Sequence, residues 1–434
     1  MSYHIDGSRN SCALHGALQL IEAIDGVVPV VHSNSGCGFH HFLGVNRASG
    51  SGVACGSPPL SSSNVTEKHV VFGGSSRLRE QLKNTVKVVE GDLYFIVSGC
   101  STEMVGDDIP AMAKEGRDQS FPVVFANTPG FRGGVHHGYQ LAARALIDQL
   151  PELRKQHPET RGKLVNIWGV VPRQDPFWAG NLEEIGRLLE GIGLEANLLV
   201  GNGQDSSGWH RVPEAALNLV LSFWGEAPAE RLAELYGTPS LVFGELPVGS
   251  NSGNLLRSVG EQLGLDPERT ESFIQAEEIR LHRHLAALAD TYFRAGFQRE
   301  FVLVGERAQA AGIGTFLVRT LGLIPRGFVI TDDLPDGQRE LLPHAFGDII
   351  REFGARLFFS EDRAEIAEIV RELKPGLVLG SALEEGVARE IGAPFLKLSF
   401  PLGDRIVLDR AYAGYRGAAT LIEDIGSALL AGPR

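Results

Sequence analysis

The chain has 434 residues and a formal net charge of −13 at pH 7, with 43% hydrophobic and 21% charged residues. That is the composition of a soluble globular protein long enough for about three domains of ordinary size, and the charge argues against nonspecific nucleic-acid binding. No apolar run approaches the roughly 18–20 residues that span a bilayer. The first residues lack the basic and apolar regions of a secretory signal. Four unevenly placed cysteines make no disulfide framework, so a reducing cytoplasm is the expected compartment.

Cys12 opens the first helical stretch. Val27-Val28-Pro29-Val30-Val31 then reads as a buried strand that leads through His32, Ser33 and Asn34 into Ser35-Gly36-Cys37. Val70-Val71-Phe72 reads as the next strand, and Leu93 to Val97 as one leading directly into Ser98-Gly99-Cys100. Val123-Val124-Phe125, Leu164 to Val171, Leu198 to Val200, Leu217 to Phe223 and Leu241-Val242-Phe243 follow. The last group is Phe301 to Val304, Gly327 to Ile330, Arg356 to Phe359, Leu377 to Leu379 and Phe395 to Leu398. Between them, Asn181 to Ile192, Asp266 to Ala295 and Asp362 to Leu373 carry apolar residues at helical spacing. Apolar strands alternating with helices predict an α/β protein of three Rossmann-like domains, each a mostly parallel sheet flanked by helices. The polar stretch Pro151 to Lys163 and the end of the long helical run place the boundaries at 1–158, 159–296 and 297–434.

If the strands ending at His32 and Ser98 are parallel neighbours, Cys37 and Cys100 share the carboxyl edge of one sheet, where α/β proteins place their sites. A free cysteine is often only a small buried hydrophobe. Here a glycine precedes two of the thiols, which lets backbone approach a bulky inorganic cluster. No C-x-x-C pair is present, which disfavours a zinc ribbon or a thioredoxin-type site. Three thiolates are one short of an ordinary four-cysteine cluster, a gap that a ligand from a partner chain would fill. In the loop after Cys100, Asp107 or Asp108 reads as a helix cap in preference to a Mg²⁺ ligand. The pairs His40-His41 and His136-His137 read as surface or partner-facing. Arg132-Gly133-Gly134, after Thr128-Pro129-Gly130, forms a turn-rich loop with the chemistry to hold an anion. Gly312-Ile313-Gly314 stands at the wrong distance from its strand for a dinucleotide fingerprint. No phosphate-loop motif, Ser/His/Asp order or catalytic Cys/His signature is present, so no catalytic residue is assigned to this chain.

These residues resemble the nitrogenase component 1 superfamily, and most closely its β-type subunits. Asn10-Ser11-Cys12, the strand and loop Pro29 to Cys37, and Val70-Val71-Phe72-Gly73-Gly74 match family motifs. Cys100-Ser101-Thr102-Glu103-Met104-Val105-Gly106-Asp107-Asp108 is similar to the family's Cys-x-x-Glu-x-x-Gly-Asp-Asp loop. Phe121 to Pro129, Phe400-Pro401-Leu402-Gly403-Asp404-Arg405 and Gly414-Tyr415-Arg416-Gly417-Ala418 extend the likeness to nearly the whole chain.

The resemblance implies three α/β domains and an α2β2 heterotetramer with an α-type catalytic subunit. It implies that Cys12, Cys37 and Cys100 ligate iron of a cluster shared across the αβ interface, of the 8Fe-7S P-cluster type or, as in some relatives, 4Fe-4S. Electrons would come from a homodimeric, ATP-dependent iron protein carrying a 4Fe-4S cluster. They would go on to a catalytic metallocluster in the partner, since no cysteine follows residue 100. Gly130 stands where nitrogenase β subunits carry a Ser that ligates the oxidised cluster, and Cys55 matches a non-ligand, structural Cys. The chain is also shorter than nitrogenase β subunits, which points to a nitrogenase-like reductase. The likeness is greatest to the β-type subunit of methylthio-alkane reductase, which releases methanethiol and a hydrocarbon from small thioethers. The alternatives are a cofactor-assembly scaffold, an alternative nitrogenase β subunit, a tetrapyrrole reductase subunit of the protochlorophyllide type, and an α/β binding module with structural cysteines.

Overall fold

The computed structural model describes residues 9–48, 60–153 and 161–432. Cys55 and the polar residues Arg154 to His157 lie outside them. Three parallel sheets organise the rest. The first holds β1 (Val27–His32), β2 (Ser61–Ser62), β3 (Leu93–Ser98) and β4 (Val123–Ala126) in the order β2-β1-β3-β4. The second holds β5 (Arg161–Trp168), β6 (Glu195–Asn197), β7 (Ala215–Val220) and β8 (Ser240–Val242), ordered β6-β5-β7-β8. The third holds β9 (Glu300–Gly305), β10 (Ile324–Ile330), β11 (Arg356–Phe359), β12 (Leu377–Gly380) and β13 (Phe395–Lys397), ordered β11-β10-β9-β12-β13. The central strands β1 and β3 are buried along their full length, because helices cover both faces and a parallel ladder leaves no solvated side. Among the described residues no helix is long and apolar enough to cross a membrane.

In the first sheet, β1 pairs with β3 from Val27↔Leu93 to His32↔Ser98. The two strands therefore end level, and the loops beyond them emerge side by side. Among the described residues, seven helices build this part: α1 (Ala13–Ile21), α2 (Ser35–Ala48), α3 (Glu67–Phe72), α4 (Ser75–Val88), α5 (Cys100–Val105), α6 (Ile109–Asp118) and α7 (Val135–Leu153). α1 and α7 pack against each other and are joined at their starts, where the Ala13 N–H donates to the Gly133 carbonyl at 3.0 Å.

Several expectations are corrected. Val70-Val71-Phe72 is the end of helix α3, not a strand. Thr66 caps that helix with His69 in a reciprocal box, and its apolar residues stay exposed, so the β-branched run buries nothing within the chain. Leu198 to Val200 falls after β6, whose residues are more polar and sit at the sheet edge. The histidine pairs are split. His41 and His136 are buried and paired with Glu22 and Glu306, whereas His40 is exposed and His137 half-buried. Adjacent helical residues point about 100° apart, so one of each pair turns inward. Gly312 and Gly314 lie inside the helix Arg307–Arg319, where a Cβ on Gly312 would fall 1.9 Å from the Leu246 carbonyl oxygen. They serve close packing.

Candidate functional site

The three predicted thiols come from three elements. Cys12 is the residue before α1, Cys37 is in the first turn of α2, and Cys100 is the first residue of α5. The level ends of β1 and β3 bring the latter two together. The bridge between Cys12 and Gly134 brings in the first. Gly130, in the 3-10 turn Gly130–Arg132, marks the meeting point. A Cβ built there would lie 3.3 Å from the Cys12 Sγ and 3.4 Å from the Cys100 Sγ. It would also be 2.9 Å from the Cys12 Cβ, so only glycine leaves this space open.

Each thiol has a polar neighbour. The Gly130 N–H donates to the Cys100 Sγ at 3.1 Å, and the Ser33 hydroxyl donates to the Cys37 Sγ at 3.1 Å. His15 bridges the other two elements, with Nδ1 3.1 Å from the Cys12 Sγ and Nε2 3.3 Å from the Cys37 carbonyl oxygen. Its ring stacks on His41. Burial pushes the Cys37 thiol up, the Ser33 hydroxyl pulls it back, and Cys12 and Cys100 push it up further. Thiolates crowded in this way would repel one another, and a bound cation would relieve that repulsion. Sequence reading did not assign roles to His15 and Ser33. Their only signal is spacing, three residues after Cys12 and four before Cys37.

The Cys100 loop is held from beneath. The Asp107 carboxylate accepts from the N–H groups of Gly74 at 2.6 Å and Ser75 at 3.1 Å, and from His32 Nε2 at 3.0 Å. Asp108 caps α6 through the Ala111 N–H. Both aspartates therefore have structural partners. Among the described residues no three or more His, Cys, Asp and Glu side chains close on a single metal ion.

The surface around the thiols is apolar and open. Phe39 and Phe42 follow Cys37 on α2, Met104 follows Cys100 on α5, and Phe131 follows Gly130; all are exposed. Val71 and Phe72, on α3 beside α5, are 72% and 81% exposed. Exposed apolar side chains on the elements that carry the thiols mark an interaction surface.

Comparison with known proteins decides the family. Residues 12–430 match the family described as nitrogenase component 1 type oxidoreductase. The chain belongs to this family. It is 25% identical to the nitrogenase molybdenum-iron protein beta chain of Methanococcus maripaludis, over 97% of this chain and 93% of that one. It is 23% identical to a light-independent protochlorophyllide reductase chain of Halorhodospira halophila, over 89% of this chain and 71% of that one. The solved structure of nitrogenase Cp1 at pH 6.5 superposes with a TM-score of 0.80 at 20% identity, covering 99% of this chain and 94% of that chain. That likeness establishes the fold, parallel sheets flanked by helices. The chain is thus a β-type subunit of a nitrogenase-like oxidoreductase.

Proposed function

We propose that this chain is the electron-relaying β-type subunit of a nitrogenase-like reductase, with Cys12, Cys37 and Cys100 as its share of the iron ligands in an interfacial iron–sulfur cluster. Members of the family bind such clusters, and their β-type subunits work with an α-type subunit and an iron protein. The observation that carries the reading is the convergence of three thiols on an outward, apolar face. A complete site would enclose its ligand set, whereas half a site faces a partner.

The residues present fit the group. The donor set is three thiols, the space a Cβ would fill is kept clear at Gly130, and N–H and O–H donors already point at two of the sulfurs. The thiols do not close on one ion, which suits a cluster of several atoms. We assign the 8Fe-7S P-cluster type, with 4Fe-4S as the alternative. The bound group supplies electron relay between a homodimeric, ATP-dependent iron protein and the catalytic metallocluster of the α-type partner in an α2β2 heterotetramer. Within this chain, Ser33 and the Gly130 amide stabilise thiolate charge by hydrogen bonding. His15 holds the Cys12 and Cys37 segments in register, and Gly130 supplies no side-chain ligand of its own.

For the complex we propose reductive cleavage of a methylthio-alkane. Two electrons and two protons break the carbon–sulfur bond and give methanethiol and the hydrocarbon. The support is likeness of sequence; no residue of this chain is assigned to the thioether. We further read the chain as three units, 1–158, 159–296 and 297–434, each built on one of the three sheets, and as a cytoplasmic protein.

The test is Cys100→Ala in the co-purified complex. Iron and acid-labile sulfide assigned to the interface should fall to background, and reductant-dependent turnover with them; unchanged iron content ends the proposal. Assay of the intact complex with its iron protein and ATP against dinitrogen, small thioethers and tetrapyrroles assigns the substrate. Turnover of dinitrogen or a tetrapyrrole without methanethiol release refutes the thioether reading alone.

A further inference from the structure

Beyond the thiols, the loop that follows Gly130 borders a cavity of about 260 Å³, lined by Arg132, Gly134, His136, Phe223, Trp224 and Asp333 among others. It is smaller than the roughly 300 Å³ at which drug-sized sites begin.

His136 is the telling residue. It is 1% exposed, and its ring stacks on Trp224 with centroids 4.8 Å apart. Its Nε2 faces Glu306 at 2.6 Å, and Glu306 is not part of the cavity lining. The other nitrogen, Nδ1, is buried and has no partner. Burial opposes charge on this ring, but Glu306 and then Asp332 and Asp333 outweigh it and raise its pKa. The protonated ring carries an N–H on Nδ1 as well, a buried donor that lacks an acceptor on a ring that lines the cavity.

Two further features converge there. α7, 19 residues long, begins at the cavity beside Gly134, and its leading N–H groups present the positive end of the helix. The Arg132 side chain is exposed and makes no hydrogen bond or ion pair among the described residues, while its backbone N–H donates to the Pro129 carbonyl. The charges limit what fits. Glu306 offsets His136, Arg307 offsets Asp332, and the exposed Asp333 offsets Arg132. The helix end leaves room for one negative charge and disfavours a polyanion. Phe223 and Trp224 form an apolar wall beside the donors.

We infer that this cavity binds a small monoanionic carboxylate with a short apolar tail. An acidic side chain of the partner subunit shares that chemistry; the cavity's volume and its apolar wall favour a free molecule. The inference does not depend on the thiols holding a cluster.

The probes are butyrate and acetate, with butylammonium as control, titrated calorimetrically into the intact co-purified complex. One butyrate should bind per chain, several-fold more tightly than acetate, and butylammonium should not bind. Arg132→Ala and His136→Gln should each weaken butyrate at least tenfold. Arg144→Ala, on the same helix but paired with Asp148 outside the cavity, should not. Circular-dichroism melts check that the variants fold, and iron content, measured in parallel, should be unchanged in Arg132→Ala. Absence of saturable butyrate binding, or binding indifferent to Arg132→Ala, overturns the inference. Binding seen only after the partner is removed overturns the free-molecule assignment.

Discussion

Gly138→Ala tests whether helix packing positions the Cys12 thiol, a proposed iron ligand. A Cβ at Gly138 would lie 1.9 Å from the Ala13 carbonyl oxygen, and one at Gly16 would lie 1.7 Å from that of Val135. Contacts under 3.0 Å are essentially never seen for real Cβ atoms. The obstacle is backbone and cannot rotate aside, so α1 and α7 must part by about 1 Å or more, at the upper end of the ~1–3 kcal/mol that overpacking costs. Cys12 immediately precedes Ala13, so it travels with α1. Metal ligands tolerate displacements of only about 0.2 Å. The variant should therefore lose about 3 kcal/mol in urea unfolding and most of the interfacial iron. Gly386→Ala, where a Cβ meets nothing within 4 Å, should leave the iron unchanged and shift stability only by the ~0.5–1 kcal/mol that alanine gains over glycine in a helix. Full iron content in a Gly138→Ala protein of unchanged stability refutes the packing argument. Retained iron at reduced stability refutes the coupling to the thiol.

Three other outcomes follow from named contacts. Asp107→Ala strands the N–H groups of Gly74 and Ser75 and the ring of His32. At ~1–3 kcal/mol for each buried donor left unpaired, denaturant titration should show a loss of about 3 kcal/mol or more, and a loss below ~1 kcal/mol contradicts the assignment. Asp175 is buried, and burial pushes its carboxyl up to about 7 in spite of bonds from Phe177 and Asn181. The folded chain then holds a proton that the unfolded chain releases near pH 4. Stability should fall with rising pH from about 4 to 7, by at most ~1.4 kcal/mol per unit from this group, and Asp175→Asn should flatten that slope; an unchanged slope excludes Asp175 as its source. Val71→Ser with Phe72→Ser should leave the stability of the isolated chain within ~0.5 kcal/mol but weaken assembly or turnover of the complex. Destabilisation by several kcal/mol would mean that these side chains are buried within the chain.

Most strands were legible because they bury both faces, which writes them as short apolar runs such as Val27 to Val31 and Leu377 to Leu379. Two short edge strands were not. Ser61–Ser62 and Glu195–Asn197 pair at sheet margins, where side chains are part-exposed and polar, so hydrophobicity carries no signal there. The convergence of Cys37 and Cys100 was readable from their shared strand–turn context. The neighbours that condition them were less so. His15 reaches the Cys37 segment and Asp107 reaches β1 and the start of α4 only after folding, across sequence separations that no local pattern encodes.

The error at Val70 to Phe72 and the count of three thiols share one physical origin. Hydrophobicity in a sequence reports eventual burial, and it does not say by what. An apolar run therefore reads as part of this chain's own core, where it would be a strand, although α3 leaves Phe72 81% exposed. A set of three thiols looks incomplete under the same assumption. Both features sit on one face, with Phe39, Met104 and Phe131 on the elements that carry the thiols or touch them. An exposed apolar surface of that extent is an aggregation liability in a chain that acts alone. A covering partner would remove the liability by burying the surface, and under the proposed function that same partner supplies the ligands on the open side of the thiol set. Surface and thiol count thus make the same demand for a second chain by independent routes, one through solvation and the other through coordination.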